Sequence, residues 1–469
     1  MDKLKIQVNE TGIYQVTYDN LSGAGVDVAA INPQTFRLYN KGSEIPIYVY
    51  GEGDAAFDSG DYIEFYGEKE NTRYSYSNAY WLTFGQSAGL RMENKTSYPG
   101  TTPESFLYTN HYELNQYYWS EIPAADDPWY FYPPVTANTS QNFTVYLDDL
   151  ANTSENAEFL ARLQGFNTYN YTNMTYRGLI YLNNHLVDNI TWQGNGTANA
   201  SVEMPSYWLS EGNNTIRVEH ILNSSYPNAW ILVDWFNISY RRKFQAKDDY
   251  LRLSASGVGN YTYSITNFSQ EDIRVYDISD HDNVKRIANA TVESEGTTYK
   301  VTFNDNSSAA ADYAVVSPAG LKTYQSIIAS QSCDLRNTTN QAGYIILTYD
   351  GFYNATLPLA EHRQAQGLSV KVVNLSDVYD EFNYGIASPD AIKYFLNYTY
   401  TNWQDPAPTY VLLVGDGTYD YRDDEGYGFT NYMPAHLVFN EHFGETASDD
   451  WFVCFDSESD IFPDMLIGR

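Results

Sequence analysis

The sequence predicts a multidomain protein. β-rich N-terminal domains of β-sandwich or jelly-roll type are followed by a partial α/β domain built on a parallel sheet. Three observations carry this reading. Short alternating apolar and polar runs, broken by Gly and Asn turns, fill roughly the first 330 residues with almost no helical periodicity. Tyrosine is the compositional outlier, with 45 copies in 469 residues, and that density suits sheet faces and wet amphipathic surfaces better than a helical bundle. After Cys333 the pattern becomes strand, helix, strand, helix, strand, the order that builds a right-handed parallel sheet.

Residues 1–118 read as the first β domain. Ile6, Val8, Ile13, Tyr14, Val16 and Tyr18 alternate around a Glu10-Thr11-Gly12 turn, and 45–50 and 62–66 continue the pattern. A Pro- and Asp-rich bridge at 122–134 marks a boundary. Residues 135–245 then give many short strands, among them 143–147, 179–182, 215–218 and 230–235, with the spacing of a sandwich or jelly roll. Such modules often bind sugars; an architectural role is the plainer reading. A smaller β domain occupies 246–332, with strands at 273–276 and 299–303.

Residues 340–469 form the α/β segment. A strand at 344–348 precedes a helix over 357–366 ended by Gly367, and a second strand follows at 369–373. Ser388-Pro389-Asp390 caps a helix running to Tyr398. The apolar run 410–415 then empties into Asp416-Gly417-Thr418-Tyr419-Asp420. In open α/β sheets this carboxyl edge is where chemistry is placed. The chain continues to a strand-like run at 465–468 and Arg469, so the expected α/β domain is half built.

A net charge of -32 argues against nucleic acid, whose phosphates need a basic patch. The compact basic cluster Arg241-Arg242-Lys243 reads as a strand end. The acidity itself reads as solubility or, more sharply, as calcium binding. Two cysteines cannot staple a chain of this length; Cys333 and Cys454 read as buried free thiols, with a disulfide between them the alternative. No run of about 18 apolar residues occurs, so no transmembrane helix is expected. The N-terminus has no apolar signal core: a leader was removed or never existed.

Asn-x-Ser/Thr sequons number 22 among 41 asparagines, where composition alone gives about six. They include Asn138, Asn142, Asn152, Asn170, Asn173, Asn189, Asn195, Asn199, Asn213, Asn223, Asn237, Asn260, Asn267, Asn289, Asn306, Asn337, Asn354, Asn374 and Asn397. That excess predicts an exported, heavily N-glycosylated protein, extracellular or on a cell surface. None follows Asn397, as expected if the last seventy or so residues are buried or contact surface.

Seven histidines are present, and His436 and His442 flank Phe439 near the acidic edge. Cys454 lies in an alternating run, 451–455, and reads as a strand-face thiol rather than a nucleophile; Cys333 has no His near it in sequence. No Gly-x-Ser-x-Gly elbow, His-Glu-x-x-His or P-loop occurs. Carboxylates crowd the segment after strand 410–415. Asp423, Asp424, Asp456, Glu458 and Asp460 make oxygen-rich loops that could hold calcium, without EF-hand spacing. Solvated loop charge is the alternative, and no cofactor is required.

Val411-Leu412-Leu413-Val414-Gly415-Asp416-Gly417-Thr418-Tyr419-Asp420-Tyr421-Arg422 resembles the core motif of gingipain-type cysteine peptidases, family C25. So do Glu445-Thr446-Ala447-Ser448-Asp449-Asp450 and Pro463-Asp464-Met465-Leu466-Ile467-Gly468-Arg469. Gly12-Ile13-Tyr14-Gln15-Val16-Thr17-Tyr18 and Gly60-Asp61-Tyr62-Ile63-Glu64-Phe65-Tyr66-Gly67 are similar to the N-terminal parts of longer members. The resemblance implies a caspase-like sheet preceded by β domains, and a protein or peptide substrate. In that family the catalytic His stands in a Gly-His-Gly motif and the nucleophilic Cys follows a later strand; neither motif exists here. The resemblance therefore carries over an active-site edge, Asp416, Asp420, Glu445, Asp449 and Asp450, and no catalytic residue. The expected protein is the N-terminal portion of a secreted cysteine endopeptidase, completed by a C-terminal catalytic fragment. The alternative is an inactive glycosylated surface or filament-forming protein that keeps the scaffold and self-assembles.

Overall fold

The computed structural model describes residues 3–85, 87–122, 127–167, 174–222, 228–255, 257–307, 311–330, 333–457 and 460–469. Asn170, Asn173, Asn223 and Glu458 lie outside the described residues. The chain divides into two compact units: one holds 1–93, 280–284 and 321–469, the other 94–279 and 285–320.

The first unit begins with an antiparallel sheet ordered Ser326–Ser330, Lys3–Val8, Asn78–Thr83, Arg37–Asn40, Ser43–Ile45. A three-stranded sheet, Gly12–Thr17, Tyr62–Gly67, Tyr48–Tyr50, shares its core. The period-two pattern does its expected work: Leu4, Ile6, Val8, Phe36, Leu38, Phe65 and Leu82 form one buried cluster. Each such side chain contributes about 1.5–3 kcal/mol on burial. Ser326–Ser330, inside the span expected for the small β domain, is the strand that seals Lys3–Val8.

The α/β segment is a four-stranded, all-parallel sheet ordered Val370–Asn374, Tyr344–Thr348, Tyr410–Val414, Leu466–Gly468. Ser388 caps the helix Pro389–Asn402, its side chain accepting from Asp390 N, and Ala391, Ile392, Phe395 and Leu396 face the core. The helix expected over 357–366 spans Tyr353–Ala365; a 3₁₀ turn, Asp350–Phe352, leads into it, so Pro358 falls inside. A helix that the sequence reading missed, Leu375–Phe382, buries Leu375, Val378 and Phe382. The strand expected at 451–455 is instead a 3₁₀ turn, Asp450–Val453. Phe452, Val453 and Cys454 are all buried there; the alternation reflects aromatic packing, with no strand pairing at these residues.

The second unit contains a sandwich and a smaller β module. One sandwich sheet runs Val135–Thr136, Ala229–Arg242, Ala157–Asn167, Thr197–Met204, with Phe106–Glu113 also along Ala229–Arg242. The strand Phe106–Glu113 thus pairs with the sandwich although it falls within 1–118. The opposing sheet is Ser140–Leu147, Gly212–His220, Thr175–Leu182, His185–Gln193. Phe143, Val145, Ile180 and Ile216 meet Phe159, Leu163, Val233 and Phe236 in a single core. The smaller module packs Leu251, Leu253, Tyr263, Val301, Phe303 and Tyr313.

Candidate functional site

The site is assembled at the carboxyl edge of the parallel sheet. A buried strand such as Tyr410–Val414 must pass its chain into a loop there, and Gly415 makes the exit with φ 139, a conformation that strains any side chain. Gly417 follows so closely that a Cβ would sit 2.5 Å from Met433 O. These two glycines are why the Val-Gly-Asp-Gly run has its composition. A cavity of about 270 Å³ opens at this edge. Tyr349 and Asp350 line it from one strand end, Leu375, Ser376 and Tyr379 from the next, and Tyr74, Tyr421 and Tyr432 complete an aromatic wall. Asp350 accepts from Ser376 N at 3.2 Å and also bonds the Ser376 hydroxyl. Such a wall can stack on and hydrogen-bond a peptide side chain; among the described residues no His or Cys lines it. A more open groove of about 630 Å³ runs on Leu412, Val414 and Asp416 beside Ala355, Leu359 and Arg469.

The candidate carboxylates divide sharply. Asp449 receives Arg469 in a two-pronged bond (Nε to Oδ2 at 3.0 Å, Nη2 to Oδ1 at 2.7 Å), and Arg469 Nη1 reaches Gly415 O and Met433 O. Glu445 is held the same way by Arg73, at 2.8 and 2.7 Å. Burial pulls the guanidinium's pKa down, but the hydrogen bonds and charge of Glu445 outweigh it and raise it above its ordinary value. Asp420 is buried and organises its own loop, accepting from Asp424 N and Glu425 N. Asp416 and Asp450 are exposed. Among the five edge residues, Asp420, Glu445 and Asp449 are therefore structural braces of the wall. Arg73 could not be found from sequence, since it lies 372 residues from Glu445.

On the acidic loops, Asp424 is taken up by Arg422 and the Tyr76 hydroxyl, Asp423 accepts from Gly428 N, and Asp460 accepts from Asp456 N and Phe462 N. Among the described residues these carboxylates do not converge as a group of three.

Both cysteines are free. Burial raises both thiol pKa values, helped by Glu381 at Cys333 and Asp460 at Cys454. The Cys454 thiol donates to Asp450 O at 3.2 Å. His436 is stacked on Trp451 with ring centroids 3.5 Å apart, and burial pushes its pKa down to about 4. It carries an unpartnered buried Nδ1 and is not bonded to either thiol. No described contact makes a Cys–His pair.

The α/β segment, a parallel sheet with an acid-lined, aromatic carboxyl edge, has the caspase-like fold expected of it. Residues 337–469 match the family model described as Peptidase family C25. Across its full length the chain resembles the crystal structure of dimeric latent PorU from Porphyromonas gingivalis, with TM-score 0.67 and 16% identity. The match covers 100% of this chain and 48% of that one, so this chain spans about half the length of that protein. At that identity the likeness is one of fold. Slighter likenesses, both with TM-score 0.17, are to a CBM36-1 domain of a xylanase from the hindgut metagenome of Trinervitermes trinervoides and to a family 35 carbohydrate binding module from an environmental isolate. The first has 14% identity and covers 31% of this chain and 89% of that one; the second has 11%, 24% and 72%. Neither bears on ligand or function. No curated protein matches the chain. Among the described residues, no helix is long and apolar enough to cross a membrane.

Proposed function

We propose that this chain is the N-terminal portion of an exported, N-glycosylated, gingipain-like cysteine endopeptidase. Its α/β segment supplies the substrate-facing wall, while the nucleophile and general base come from residues outside 1–469. The observation that carries this reading is the cavity at the carboxyl edge of the C25-matching segment, to which Tyr74 also contributes. A protein or peptide is the substrate class that suits a stacking, hydrogen-bonding wall. Every described asparagine of the sequon set is exposed or half-buried and none is buried, as glycan acceptors must be. No cofactor is required.

Intact-mass measurement and peptide mapping of native material test the reading. Peptides beyond residue 469 containing Gly-His-Gly and a later Cys are expected; a native chain ending at residue 469 overturns it. Enzymatic deglycosylation in heavy-oxygen water should convert most sequon asparagines to labelled aspartate, and conversion at none of them sinks the glycoprotein part. The second reading, an inactive self-assembling surface protein, draws on the raised thiols and the absence of a described Cys–His contact. It predicts no labelling by a thiol-reactive peptidase probe in the full native protein.

A further inference from the structure

Three carboxylates far apart in sequence meet in the sandwich. Glu113 ends the strand Phe106–Glu113, Asp127 follows it on the connection, and Asp234 sits in the middle of Ala229–Arg242. One oxygen from each lies within 4.8 Å of the others. The ladder explains how Asp234 reaches the cluster. Arg162 pairs with Trp235 and Leu163 with Val233, so Asp234 is the extra residue of a β-bulge, while Trp235 pairs with Glu113 on the other side. Bulges of this kind re-aim one side chain out of the regular pleat.

An aspartate inside the run Ile231-Leu232-Val233-Asp234-Trp235-Phe236 needs a compensating partner. Asp234 is 2% exposed. Arg162 Nε takes its Oδ2 at 3.2 Å, and Oδ1 is buried with no hydrogen-bond partner. An unpaired buried carboxylate oxygen is costly. The second cationic group nearby, His111, is already committed to Glu113 Oε2 at 2.9 Å and Asn237 Oδ1 at 2.6 Å.

We propose that Glu113, Asp127 and Asp234 bind a hard divalent cation of the calcium type, joining the strand end, the connection and the bulge of the sandwich. An all-oxygen donor set selects such an ion over a thiophilic metal. Glu113 and Asp127 are half-buried, so water has room to complete six to eight oxygen ligands. The site is independent of the peptidase-type edge and stands or falls separately from it.

The test uses the full chain, stripped with chelator and titrated with Ca²⁺ by calorimetry, and with Tb³⁺ read through sensitised emission from Trp235. The wild type is expected to bind and to melt at higher temperature with calcium than with chelator. Asp234→Asn and Glu113→Gln should each weaken one site at least about tenfold. In chelator, Asp234→Asn should melt no lower than wild type, because the amide keeps an oxygen for Arg162 and removes the buried charge whose Oδ1 has no hydrogen bond. Asp127→Asn, at a half-buried position, repeats the binding test if Asp234→Asn fails to fold. Calcium stoichiometry and affinity unchanged in these variants overturn the proposal, as does a wild type whose melting is indifferent to chelator.

Discussion

Replacing Arg73 with Ala takes from Glu445, whose side chain is almost completely buried, its two-pronged bond to a guanidinium. The Glu445 side chain is 1% exposed and Arg73 22%, so the two partners are not equivalent. Removing one member of a buried pair costs about 3–5 kcal/mol, because the remaining charge keeps its desolvation penalty. Arg73's partial exposure sets Arg73→Ala near the lower end, about 3 kcal/mol. Glu445→Gln leaves an arginine that water can reach, and should cost about 1 kcal/mol. The double variant should recover much of the Arg73→Ala loss, since the buried carboxylate that had lost its guanidinium has gone. The readout is hydrogen exchange in the hairpin Leu437–Asn440 and Gly444–Ala447, which carries Glu445. A local loss of 3 kcal/mol appears there as roughly 100-fold faster exchange. Equal effects from the two single variants, or a double variant no better than Arg73→Ala, would refute the reasoning.

Three further outcomes follow from the same physics. Arg469→Ala removes the two-pronged bond to Asp449 and both carbonyl contacts; these partners are partly exposed, so about 1 kcal/mol is expected, seen as faster exchange at Gly417 and Thr418. Cys333 and Cys454, both with raised thiol pKa values, should resist Ellman's reagent at pH 8 until the chain is unfolded, and rapid native labelling of either contradicts the burial argument. His220 is buried against Tyr176, and burial pushes its pKa from 6.5 down to about 4. The unfolded chain then binds the proton first, so stability is complete above pH 6.5 and falls as pH drops from 6.5 towards 4, by about 3 kcal/mol. His220→Phe should flatten that slope in acid melts of the full chain.

The α/β alternation was legible because its signals are local. Ser388 and Pro389 at a helix start, and continuous apolar runs at 344–348 and 410–414, need no knowledge of distant residues. Where the reading failed, aromatic packing had imitated a period: Trp451 to Phe455 alternates in sequence, yet Trp451 lies on His436 and the chain turns. The edge loop at 415–420 was placed correctly, while the roles of its carboxylates were not legible. Asp449 and Glu445 look alike as sequence, and only Arg469 and Arg73 show them to be braces. The Glu113–Asp127–Asp234 cluster left one local trace, a charge inside an otherwise apolar strand. Its meaning depended on a bulge that no single segment encodes.

The strand Ser326–Ser330, hydrogen-bonded to Lys3–Val8, has a consequence for the order of assembly. A chain made from its N-terminus holds Lys3–Val8 with one edge open until more than three hundred residues have followed. Joining ends that far apart as a flexible loop costs on the order of 5 kcal/mol in closure entropy. Residues 94–279 and 285–320 fold into a unit of their own within that span, and once compact they replace most of the flexible loop with a body of fixed dimensions. Truncation before Ser326 should leave an aggregation-prone edge whatever becomes of the peptidase-type site.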